Sequence, residues 1–133
     1  MIPRFRGLSI DENSKGEWQY GHLIEDRGRA FIINEVVEAN EQYITIGSWC
    51  PVDPKTIGQS TGLKDKNGKE IFEKDILDYN GRKVIVKWHG SYASFIYEFV
   101  DELQNRTTEW QPLYLSYYKF EVIGNSLENP VKD

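Results

Sequence analysis

Apolar and polar positions alternate with a period of two along most of the chain, the spacing of extended strands with one covered face. Arg4 to Ile10 reads as a first strand, with Phe5 and Gly7 on one side and Arg6 and Leu8 on the other. The polar run from Asp11 to Gly16 makes a turn. From Trp18 the alternation is cleaner: Trp18, Tyr20, His22 and Ile24 share a face, and the run from Glu25 to Gly28 ends the strand. Ala30 to Val37 and Tyr43 to Trp49 are two further apolar runs rich in β-branched residues, separated by a turn over Glu38 to Gln42. A short helix over Asn34 to Gln42 is the alternative. The prolines of Cys50-Pro51-Val52-Asp53-Pro54 each remove a donor and restrict the residue before them, so this stretch is expected to break regular structure and to separate an N-terminal β subdomain from the remainder of the chain.

The second half carries sharper turn chemistry. Asp65-Lys66-Asn67-Gly68 fits a type I turn closing with a glycine bulge, its acid capping the backbone, between two antiparallel arms. Phe72-Glu73-Lys74-Asp75 is a polar step, with room for one helical turn, and Asn80-Gly81 is a strong hairpin signal joining Asp75–Tyr79 to Arg82–Trp88. His89-Gly90-Ser91 leads on to a strand over Tyr92 to Val100. In that meander Val84, Val86 and Trp88 face one side, and the aromatic face of Phe95, Tyr97 and Phe99 closes over them. Asp101 to Glu109 reads as a polar loop, Pro112 to Tyr118 as a short helix with the proline in its first turn. Phe120 to Asn125 makes a closing strand and Glu128-Asn129-Pro130 a tail turn. Short strands joined by tight turns predict a mainly β protein with little helix, a small barrel or roll in which closure hides the edges.

Two separated blocks carry a family resemblance. Thr61 to Ile76, together with Phe120 to Asn125 and Glu128-Asn129-Pro130, resembles the YopX family of phage and prophage proteins, and the lead-in from Val52 to Gln59 is similar as well. The resemblance covers about Val52 to Pro130 well and the N-terminal part loosely. It implies a gene carried by phage and an SH3-type barrel core, here over residues 51–130; the strands read over 1–50 are additional to it, and the length of the chain makes one domain of 1–133 the expectation. The resemblance implies neither a reaction nor binding residues. Lys74 stands where the family commonly has glycine and Ser60 where an aromatic is usual; the lysine predicts a turn before Asp75 without a positive φ.

Composition narrows the function classes. The chain has 133 residues, 39% of them apolar and 14% aromatic, enough for an independent core. A net charge of −5 opposes attraction to phosphate backbones and anionic membranes. The single cysteine, Cys50, permits no internal disulfide and no paired-cysteine zinc site, and Met1 to Arg6 lacks an apolar signal region, so the expected location is the bacterial cytoplasm. No membrane contact is expected.

Candidate chemistry is thin. His22 reads as a packed or edge histidine rather than a ligand, since only His22, His89 and Cys50 offer nitrogen or sulfur. The acidic string from Asp65 lacks glycine at its sixth position and glutamate at its twelfth, as a calcium loop requires. Glu73 with Asp75, or Asp101 with Glu102, read as solvated loop charges, and Cys50 has no basic neighbour to activate it. There is no nucleophile elbow and no phosphate loop, so the expectation is no catalytic residue, no metal and no cofactor. Lys64, Lys66, Lys69, Lys74, Lys83 and Lys87 would fit a weak nucleic-acid-binding barrel, but Asp65, Glu70, Glu73, Asp75 and Asp78 interleave with them and cancel most of the field. The aromatic excess points instead to a non-enzymatic interaction module. Trp18, Trp49, Trp88 and Trp110 exceed a core of this size, and Trp110, Tyr114, Tyr117 and Tyr118 are the candidate contact residues, for a protein partner or a second copy.

Overall fold

The computed structural model describes residues 3–101 and 106–128. The chain is mainly β, as the alternation predicts, and it forms two compact units that divide between Gln59 and Ser60.

The first unit is built from β1 (Phe5–Leu8), β2 (Trp18–Asp26), β3 (Arg29–Ala39) and β4 (Ile44–Val52), paired antiparallel in that order. A 3-10 turn over Pro54–Thr56 comes next, and the first residues of β5 (Gly58–Lys64) pair with β1. Arg27 and Gly28 link β2 to β3 with φ of 53° and 80°, the two positive angles of a type I′ hairpin. Gly21 cannot be replaced by a residue with a side chain, because a Cβ there would overlap the Ile33 carbonyl. Ala30, Ile32 and Val52 form a small core, with Phe5, Leu23 and Ile57 against it. A Ser9–Val52 bridge brings the foot of β4 back to the end of β1.

Two readings change here. Asn34 to Gln42 is strand and tip, not helix: the β-branched run continues β3 to Ala39, and Asn40 closes the hairpin by accepting from the Gln42 and Tyr43 N–H groups. Cys50 and Pro51 do not break structure but lie inside β4, because a proline opposite Phe31 needs only to forgo one donor. The aromatic face of β2 is the outer one, with Tyr20, His22 and Ile24 exposed and Leu23 turned inward.

In the second unit the rest of β5 pairs with β6 (Glu70–Phe72). β7 (Asp75–Tyr79), β8 (Arg82–His89), β9 (Ser94–Asp101), β10 (Arg106–Pro112) and β11 (Glu121–Asn125) form an antiparallel sheet of order β10-β9-β8-β7-β11. β10 and β11 end that sheet; an SH3-type closure belongs to what the family resemblance implies rather than to these pairings. Asn80 and Gly81, with φ of 51° and 88°, make the expected hairpin turn. Val84 pairs with Phe99, Val86 with Tyr97 and Trp88 with Phe95, as the alternation predicts. Ile71, Leu77, Val84, Val86, Tyr97, Leu113 and Phe120 make the core.

The Asp65 turn does more than cap itself. Its carboxylate accepts from Asn67 and Lys69 within the turn, at 2.9 and 2.8 Å, and from Val122 of β11 at 2.9 Å. Burial pushes its pKa up, but those three N–H donors outweigh burial, the Lys69 charge adds to them, and the carboxyl is held below the usual carboxylate range.

Four further expectations are corrected in this unit. Lys74 adopts a φ of 75°, so the turn before Asp75 does demand a left-handed residue; the Lys74 N–H bonds Val86 and its carbonyl bonds Ser126, which hold it there. The Asp75 side chain is not solvated but buried, and its carboxyl accepts from the Phe72 N–H at 2.7 Å. The second part of the expected 101–109 loop is β10, paired with β9 across a register shift; residues 102–105 lie outside the described ones. Pro112 ends β10, and two 3-10 turns, Leu113–Leu115 and Tyr117–Lys119, replace the expected helix, because Leu113 dives into the core while its neighbours stay outside. In the expected tail turn, Asn129 and Pro130 lie outside the described residues.

Candidate interaction surface

The β8–β9 turn is longer than the sequence implies, since β9 begins at Ser94 and leaves Gly90, Ser91, Tyr92 and Ala93 in the turn. His89 holds it: Nδ1 accepts from the Tyr92 N–H at 3.0 Å, which leaves the proton of the neutral ring on Nε2. Ala93 takes a φ of 53°, and the chain reverses with the Tyr92 ring outside.

That geometry gathers aromatics from three elements. The His89 ring stands 4.7 Å from Trp110 of β10, and Tyr92 stands 5.5 Å from Trp110, edge to face. The Tyr114 phenol of the first 3-10 turn raises the Tyr92 phenol above its ordinary value, first by its hydrogen-bonding influence and then by its own charge once ionised. Trp110, Tyr92 and Tyr114 nevertheless remain 41%, 46% and 53% exposed. Edge-to-face ring pairs of this kind contribute about 1 kcal/mol each, so the cluster is ordered while it stays wet.

Beside it lies a cleft of about 260 Å³, lined by Thr61, Leu63, Trp88, Ala93, Phe95 and Tyr114 among others. Trp88, edge-on to Phe95 at 5.0 Å, also borders a second cleft of about 360 Å³ with Glu73, Lys74, Lys87 and Leu127. Small-molecule pockets run from roughly 300 Å³ upward, and the first cleft, a little smaller, has room for one or two side chains.

The four candidate residues therefore divide. Trp110 and Tyr114 belong to one cluster, bridged by Tyr92. Tyr117 packs against the core, and Tyr118 is exposed beside it, the rings 5.6 Å apart with the Lys119 ammonium 5.7 Å from the Tyr118 centroid. Tyr92 and His89 join the cluster although the aromatic excess alone does not single them out. In the sequence Tyr92 follows directly on Gly90-Ser91 and reads as the first residue of a strand, so nothing local marks it as a turn residue.

Among the described residues no group of three or more His, Cys, Asp or Glu is placed to hold a metal ion, and no helix is long and apolar enough to cross a membrane. His22 is exposed on β2. Cys50 is buried, its thiol donating to the Ser9 hydroxyl at 3.1 Å.

Together these features define a two-unit antiparallel β protein that leaves ordered aromatic rings in solvent. The chain belongs to the YopX protein family, which matches residues 5–132. It is similar to protein EF1440 from Enterococcus faecalis, whose crystal structure superposes with a TM-score of 0.62 at 31% sequence identity, over 98% of this chain and 96% of that one. No match was found among the curated proteins.

Proposed function

We propose that the chain is a non-enzymatic protein-interaction module serving a phage or prophage in the bacterial cytoplasm, and that it takes its partner on the surface made by Trp88, His89, Tyr92, Trp110 and Tyr114. The observation behind this reading is the contrast within one unit. Val84, Val86, Leu77 and Leu113 are wholly buried, whereas the large rings of Trp88, Tyr92, Trp110 and Tyr114 are all at least 41% exposed. Aromatics of this size are enriched at the centres of protein interfaces, where covering them contributes most of the binding energy. The adjoining cleft offers a seat for an apolar side chain of the partner.

Affinity purification of the full chain from its host, with identification of bound protein and nucleic acid, tests the reading. The expected result is a protein partner retained by the wild type and weakened at least tenfold by Tyr92→Ala with Trp110→Ala. Partner retention unaffected by that double substitution would refute the surface. Recovery of nuclease-sensitive nucleic acid, lost with rising salt, would favour the nucleic-acid-binding barrel instead.

A further inference from the structure

The first unit carries a second unpartnered feature. Beyond the bridge at its foot, the β3–β4 hairpin continues as a two-stranded arm in which every residue from Asn34 to Trp49 is exposed. A two-stranded ribbon with both faces in water is marginal on its own. This one nevertheless presents Val36 at 41% exposure, Val37 at 63%, Tyr43 at 49%, Ile44 at 65%, Ile46 at 42% and Trp49 at 59%. Side chains of these sizes expose on the order of several hundred Å² of apolar surface, the scale of the roughly 800 Å² that each partner contributes to a standard interface.

β4 is also the end strand of its sheet. Among the described residues its outer edge is covered only at the foot, where Ile10 N–H bonds the Pro51 carbonyl and Ser9 bridges Val52. Exposed edges are usually blunted by charge, yet Tyr43 to Trp49 contains no acidic or basic residue; Glu35 and Glu38 sit on β3 instead. Such an edge is self-complementary. With a two-fold axis at Ile46, antiparallel pairing sets Ile44 opposite Ser48 and Thr45 opposite Gly47, and no like charges meet. The register shifts between Ile33 and Glu38 twist the ribbon, which suits a short pairing around one axis rather than an open-ended stack.

We infer that the occupant of this edge is a second copy of the chain, joined β4 to β4 through the arm. The inference rests on the reading of the protein as an interaction module and assigns self-association to a surface separate in sequence from the aromatic one. Light scattering after gel filtration at about 100 μM, well above the Kd of a micromolar interface, reads the mass. The wild type is expected at two chains or an even multiple. Ile46→Lys, and independently the more exposed Ile44→Lys, are expected at half that mass with unchanged circular dichroism, while Tyr92→Ala with Trp110→Ala keeps the wild-type mass. A single-chain mass for the wild type, or an unchanged mass in both lysine variants, overturns the inference. So does an assembly lost in the aromatic double variant but kept in Ile46→Lys. Loss of partner binding with the mass intact in the aromatic variant would separate the two surfaces.

Discussion

The two units treat similar residues in opposite ways. In the second, β-branched and aromatic side chains of β7, β8 and β9 close on one another and on Leu113 and Phe120, with Phe120 4.9 Å from Tyr97 and 5.5 Å from Tyr79. In the first, Ala30, Ile32 and Val52 are covered, but the same strands run on into an arm whose valines and isoleucines meet water. Strand formation thus depends on local pattern, and the value of a strand's apolar residues depends on whether a second layer reaches them.

Truncation should show the contrast most strongly. Phe120→Ala is expected to lower stability by about 4 kcal/mol in urea unfolding, because it opens a cavity in the core, whereas Ile44→Ala in the arm, measured on the dissociated single chain at low concentration, should change it by under about 0.5 kcal/mol. Comparable losses at the two positions in the single chain would mean that the arm is packed within its own chain.

The Asp65 carboxylate comes next. Asp65→Ala strands three N–H donors, two in the turn and one on β11, and should cost about 3 kcal/mol. Because the folded pKa is lowered, the carboxylate's contribution is complete above its ordinary value of 3.8 and fades as pH falls through the lowered one. The stability difference between wild type and Asp65→Asn should therefore be constant near neutrality and shrink below about pH 4. A difference that persisted unchanged in acid would refute the assignment.

Smallest is a gain. Lys74 holds a left-handed conformation that glycine adopts without strain, so Lys74→Gly should raise stability by about 0.5–1 kcal/mol after the entropy lost from the unfolded chain is counted. A loss would show that the lysine side chain contributes more than its backbone strain.

Much of the second unit was legible because its information is local. Asn80-Gly81 and Asp65 to Gly68 specify their turns, and a hairpin turn in place sets the register, so the pairing of Val84 with Phe99 and of Val86 with Tyr97 results. Half the candidate surface was legible in the same way, as an excess of tryptophan and tyrosine around Trp110 and Tyr114. Tyr92 was hidden because its place depends on a turn that draws in His89, and Tyr117 stands apart from the cluster because a 3-10 turn packs it against the core. The Lys74 conformation was hidden for a related reason. A backbone strained by bonds to Val86 and Ser126 leaves no mark on the residue that bears it.

By itself the sequence determined the β class, the principal turns, the membership in the YopX family and the lack of any familiar catalytic motif, because periodicity and turn chemistry act over a few residues. Only the tertiary structure decided which aromatics are core and which are surface. It alone showed that a run compatible with helix becomes an exposed arm, and that one aspartate ties a turn to the closing strand. Those outcomes depend on contacts between residues distant in the chain, as with Asp65 and Val122, and no window of local sequence contains both partners.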